Sequence, residues 1–129
     1  MNKKILLPPF MFLSFMVFGC SMSTRGVATI TANEIHDIAA EENKVITKYC
    51  VPKYKEAKTK QDVEKADKVC LKAEASYYSV RAAWKTLVYI LEAAKINKVT
   101  DKEIKEAVIT LTNVLIDLQK TSDLIKESK

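Results

Sequence analysis

Ten residues, Val63, Ala66, Cys70, Ala73, Tyr77, Val80, Trp84, Leu87, Leu91 and Ala94, recur at alternating steps of three and four. Only an α-helix gathers such positions on one face, because 3.6 residues complete a turn. The pattern is sustained over four heptads and predicts one helix over about 61–96, roughly 50 Å long at 1.5 Å per residue, with no other segment as long. A helix with a single apolar seam must lay that seam against other helices. Composition agrees: glycine and proline together occupy five positions of 129, too few for a turn-rich β architecture.

The flanking segments supply the partners. Upstream, Thr31 and Glu34 have the spacing of a capping box, and Ile35, Ile38, Ala39, Ile46, Tyr49 and Cys50 follow on one face, interrupted by Glu42. This predicts a first helix over about 32–57. Pro52 removes a backbone donor, so a kink or an end is expected near Val51. Downstream, Thr100 and Glu103 form a second capping box, with Val99 and Ile104 at the spacing of a hydrophobic staple. They open a third helix over about 100–127, whose seam is Ile104, Val108, Leu111, Leu115, Leu118, Ser122 and Ile125, widened by Ile109 and Ile116. Short connections force antiparallel neighbours, so the expected fold is an all-α, up-down-up three-helix bundle with one long central helix.

The beginning of the chain follows a different logic. Lys3 and Lys4 precede an apolar run from Ile5 to Phe18, broken only by Pro8, Pro9 and Ser14, and Gly19-Cys20 comes next. That order is the one of a secretory signal, and the run is too short and too proline-broken for a permanent span. Val17-Phe18-Gly19-Cys20 resembles the lipobox of bacterial lipoproteins. The resemblance implies cleavage of residues 1–19 and acylation of Cys20, with palmitate-type chains holding the mature protein to a membrane. Several chains at about 0.8 kcal/mol per buried methylene make such an anchor stable. Ser21, by resemblance to Gram-negative lipoproteins, implies sorting to the outer membrane, with the domain on its periplasmic face. Residues 20–30 are expected to form a flexible tether, and residues 31–129 the helical domain. Removing Lys3 and Lys4 lowers the formal charge from +5 to +3, short of a nucleic-acid footprint.

Two cysteines remain. If the first helix turns back near Lys60, Cys50 and Cys70 are equally far from the turn and both lie on inward seams, so a disulfide is expected between them. An oxidising compartment permits that bond. A redox or metal role is disfavoured, because the Cys-x-x-Cys spacing is absent and His36 is the sole histidine.

No catalytic constellation is legible. His36 stands beside Asp37 without a nucleophile, Glu41-Glu42 are adjacent helix positions that point apart, and two glycines cannot build a phosphate loop. The chain therefore reads as a non-enzymatic binding or structural module of the cell envelope, with no cofactor and no metal. Candidate contact residues are Tyr78, which falls off the seam, and Arg81 beside it. Lysines Lys53, Lys55, Lys58 and Lys60 are further candidates, since nine lysines against four acids lie between Lys44 and Lys72. An envelope protein or an anionic envelope polymer would suit that charge. Other readings are a phage- or prophage-type exclusion or immunity lipoprotein that occludes an envelope receptor, and an accessory lipoprotein of a secretion or surface-assembly complex. The terminal Lys129 also resembles the peptidoglycan attachment point of some small helical lipoproteins.

Overall fold

The computed structural model describes residues 23–127, which form three α-helices: α1 (Thr24–Glu56), α2 (Lys60–Ala94) and α3 (Asp101–Glu127). Each packs against both others, in an up-down-up bundle in which α1 and α3 run parallel. The core forms one cluster, with Ile35, Leu87, Leu111, Leu115, Leu118 and Ile125 its largest fully buried apolar side chains. Each contributes about 2 kcal/mol of burial. The whole expected seam of α3 is buried, Ser122 included.

The start of α1 corrects the sequence reading. Ser23, not Thr31, is the N-cap, and its side-chain oxygen accepts from the Gly26 backbone N–H at 3.0 Å. Residues 24–30 are thus helical instead of a flexible tether, and Val27, Ala28 and Thr31 are buried. The Thr31–Glu34 box does not form because Thr31 lies inside the helix, on the face turned to the core. With this extra length α1 has 33 residues, and the central α2, at 35, is still the longest of the three described helices, as expected. The expected cleavage segment 1–19, Cys20 and Lys129 lie outside the described residues.

Pro52 neither ends nor interrupts α1, which continues to Glu56. A proline costs most in a helix interior, and here a single turn remains beyond it, fully exposed. The connection to α2 is then three residues long, closed by a capping box that was not anticipated. Thr59 Oγ1 accepts from Asp62 N–H at 3.1 Å, while the Asp62 carboxylate accepts from the Thr59 and Lys58 backbone N–H groups at 3.2 and 3.1 Å. Asp in place of the usual Glu or Gln concealed this box. The α2–α3 connection ends α2 in a Schellman motif: Lys98 N–H donates to Ala93 O and Asn97 N–H to Ala94 O, both at 3.1 Å. Asn97 takes the left-handed position, φ 56°, that glycine usually fills. The Thr100–Glu103 box then opens α3 as expected, with both reciprocal bonds present.

Two side-chain contacts set the helix registers. The Cys50–Cys70 disulfide ties α1 to α2 with the Cα atoms 5.9 Å apart, and the Ser76 and Thr121 hydroxyls meet at 3.4 Å between α2 and α3. In these registers Glu127 lies level with Cys70, so the described part of α3 covers the hairpin only as far as the disulfide. Beyond it α1 and α2 protrude as a two-helix tip, and every residue from Val51 to Lys65 is exposed except the half-buried Ala57. Val63, placed on the seam by its spacing, is exposed here because no third helix covers it. Ile109 also faces solvent, and Ile116 is half-buried, so the apolar face of α3 is narrower than its sequence implies.

The same registers place Glu42 of α1 and Gln119 of α3 at one level. Both are 4% exposed, and Ser122 and Thr121 are buried nearby on α3. Among the described residues neither the Nε2 nor the Oε1 of Gln119 has a hydrogen-bond partner. A buried donor and acceptor left in this state destabilise the fold by about 1–3 kcal/mol.

Three outcomes follow from this architecture. Gln119→Met, similar in volume and free of the amide, should raise the melting temperature by several degrees; a fall would mean that the amide is satisfied in solution. Cys50→Ser should lower stability by about 3 kcal/mol in oxidising buffer and have little effect under reductant, measured by urea unfolding. The third concerns pH. Backbone donors from Lys58 and Thr59 hold the Asp62 carboxyl below the usual carboxylate range. The ionised form therefore stabilises the fold above the ordinary Asp value of about 3.9, and that contribution is lost as pH falls through the lowered native value. The melting-temperature gap between the parent and Asp62→Asn should be constant from neutral pH to about pH 5 and close in stronger acid.

Candidate partner-binding surfaces

The α1–α2 face carries the clearest surface relief. At its centre Trp84, half-buried, reaches across to α1, and its Nε1–H donates to the Ala32 carbonyl at 3.0 Å. Small residues make the approach possible: Ala28, Ala32 and Ala39 are among the buried positions of α1 along this stretch, beside Thr31 and Ile35. His36 covers the outer edge of the indole, ring centroids 5.0 Å apart and tilted by 47°. Its Nδ1 lies 3.6 Å from an Asp37 carboxylate oxygen. The histidine is thereby an exposed ring tilted against a tryptophan, a role that its isolated position in the sequence did not disclose.

Toward the tip this face opens into a groove of ≈ 460 Å³ between α1 and α2. Cys50 and Cys70 line it, together with Asn43 and Thr47 from α1 and Tyr77, Tyr78 and Arg81 from α2. Tyr78 and Arg81, singled out from the sequence, are both exposed and share this groove. The Arg81 guanidinium lies over the Tyr77 ring at 6.0 Å from its centroid, a weak cation–π contact, and the rings of Tyr77 and Tyr78 are 6.0 Å apart. Tyr77 is half-buried and anchors the cluster to the core.

The tip itself holds the four candidate lysines. Lys53 and Lys55 occupy the last turn of α1, where a cation complements the partial negative charge of a helix C-terminus. Lys58 lies in the connection and Lys60 begins α2. All four are exposed, and Lys53 Nζ lies 5.3 Å from the Tyr49 ring centroid. Glu56, Asp62 and Glu64 are interspersed among them, and Asp62 is engaged in its capping box. The tip is therefore mixed in sign with a modest basic excess. Tyr54, whose hydroxyl donates to the Asp67 carboxylate, braces the two helices outside the core. That bond to an anion, with some burial, pushes the phenol up to about 12.

The structure thus separates the candidate residues into two places. Tyr78 and Arg81 belong to the outer face of the bundle, and the lysines belong to the tip, with the disulfide at the junction. No group of three or more His, Cys, Asp or Glu side chains suited to a metal ion occurs among the described residues. None of the described helices is long and apolar enough to cross a membrane. The contacts of His36 with Trp84 and of Tyr54 with Asp67 were not foreseen. Trp84 looked like an ordinary seam residue, and neither pair has a sequence spacing that signals contact. Compared with protein-family models, with curated proteins and with solved structures, the chain has no match in any of the three.

Proposed function

We propose that this chain is a lipid-anchored cell-envelope lipoprotein that acts by binding, with the two-helix tip as its contact surface. The anchoring part of the reading rests on the lipobox-like Val17-Phe18-Gly19-Cys20. The binding part is carried by one observation: Ser23 and the tip lie at opposite ends of the bundle. Ser23, Thr24 and Arg25 share a cavity with Asn97, Val99 and Asp101 of the α2–α3 connection. Only Ser21 and Met22 separate Ser23 from Cys20 in the sequence. Three residue steps span at most about 11 Å, so lipid on Cys20 would hold this end against the bilayer. A helix of 33 residues then carries the tip about 50 Å along the bundle axis from the anchored end.

The proposed partner is an acidic protein surface or an anionic polymer of the envelope, on the outer-membrane periplasmic side. Exposed lysines at the end of a rigid rod steer such a partner without needing a deep pocket. Local concentration at the membrane is part of the mechanism, since a weak contact gains when both partners are confined. The test uses a photo-crosslinking residue in place of Lys55 in intact cells, with Cys20→Ala alongside. A discrete crosslinked species from the anchored chain, reduced at least several-fold by Cys20→Ala, is the expected outcome. Recovery of the same species at equal yield from both chains would remove the anchor from the mechanism.

A further inference from the structure

Along the middle of α2, from Ala75 to Leu91, Arg81 and Lys85 are the only charged residues. They stand four positions apart on one side of the helix, where like charges disfavour each other. Among the described residues neither has an ion-pair partner, whereas Lys44 and Lys95 each pair with a glutamate three positions away. Arg81 instead lies over the Tyr77 ring, 6.0 Å from its centroid, a contact that positions the cation without neutralising it. Two unpaired cations on an open helix face would need no explanation. These two border a pocket.

The pocket lies between α1 and α2 and has a volume of ≈ 110 Å³. Ala39 and Val80, both buried, form its floor. Three rings make its sides, Tyr77 and Trp84 from α2 and His36 from α1, the last two in contact with centroids 5.0 Å apart. Arg81 and Lys85 are exposed at its mouth, and no acidic side chain lines it. Apolar cavities of about 150 Å³ take up benzene, so this one suits a single six-membered ring and little more. Aromatic sides over an apolar floor favour a flat apolar body. At the mouth, the donor fork of Arg81 matches a carboxylate or phosphate, and Lys85 adds a second positive charge. We infer that the His36–Trp84 pocket is a binding site for a small organic oxyanion, a carboxylate or phosphate ester carried on a single flat ring.

Both halves of that ligand are needed. Exposed cations alone hold an anion weakly in water, and burial of the ring supplies the rest. The other basic region of the molecule lacks this combination, because the cavity at the tip is lined by Glu56 and Asp62 as well as by Lys53 and Lys65. The larger groove toward the disulfide adjoins the pocket at Tyr77 and Arg81 but counts Glu74 among its walls, so an anion is drawn to the Arg81–Lys85 end. His36 stands thirteen positions after Ser23, about 20 Å along α1. The site is therefore separate from both ends of the bundle and does not depend on the lipid anchor.

The test is calorimetric titration of the full-length chain in detergent micelles, with empty micelles as the blank and the fluorescence of Trp84, the sole tryptophan, as the local readout. Phenylacetate and phenyl phosphate are the probes, phenylacetamide is the neutral counterpart, and acetate is the anion without a ring. At least one aromatic anion should bind saturably and shift the Trp84 emission, with the amide and acetate at least tenfold weaker. The stronger of the two probes assigns the head group. Arg81→Gln and Lys85→Gln should each weaken binding several-fold with helicity and melting unchanged, because both side chains are exposed. Ala40 lines the pocket and is exposed, so Ala40→Leu should fill the space and abolish binding while both cations remain. Equal binding of phenylacetate and phenylacetamide would remove the anion from the assignment. Binding that survives Ala40→Leu would place the ligand elsewhere, and no saturable binding of either probe would remove the site altogether.

Discussion

The bond between Cys50 and Cys70 lies where the bundle changes character. On one side of it three helices share a core, and each apolar seam has two neighbours to lie against. On the other side only α1 and α2 continue, and two helices cannot enclose a core. The side chains there, Val51, Tyr54 and Val63 among them, remain open to solvent. Whatever holds the tip together must therefore act with little burial beyond that of Ala66. The crosslink removes chain entropy from the unfolded state at the base of the tip, the Tyr54–Asp67 bond braces its middle, and the Thr59–Asp62 box closes its end. A short covalent-to-polar series replaces the missing hydrophobic layer.

The interior is less uniform than its helical pattern implies. Polar side chains enter it at one level, with Glu42 from α1 and Gln119 and Ser122 from α3, and the Ser76–Thr121 contact links α2 to α3 close by. Such a layer stabilises less than leucines would. The Ser76–Thr121 contact does, however, penalise any register that would part its two hydroxyls. A parallel α1–α3 pair whose seams are built from alanine, isoleucine and leucine has few other means of choosing one sliding position. The layer and the disulfide specify the same alignment from two different helix pairs.

Function, in this reading, divides between the two ends of the bundle. One end carries Ser23, three positions after Cys20 in the sequence, and the far end carries lysines on a narrow rigid support. A bundle suits that division because its helices transmit position along their length with little bending. No enclosed cleft is involved. Recognition would come from surface pattern and from confinement at the membrane.

What the sequence determined by itself is the part governed by local rules. The helical periodicity of α2 and α3, the Thr100–Glu103 start and the pairing of Cys50 with Cys70 follow from spacing alone, because backbone geometry converts spacing into a shared face. Ser23 as a cap, the uninterrupted helix through Pro52 and the exposure of Val63 and Ile109 do not follow from it. Each depends on where a neighbouring helix begins or ends: Thr31 is drawn into the core by a partner, and Val63 is left out because α3, as described, stops level with Cys70. The same holds for the surface. Tyr78 could be recognised as off the seam, but its place in the groove beside Cys50 and Cys70 exists only once α1 is packed against α2. Burial is a property of the packed neighbours, and only the tertiary structure supplies them.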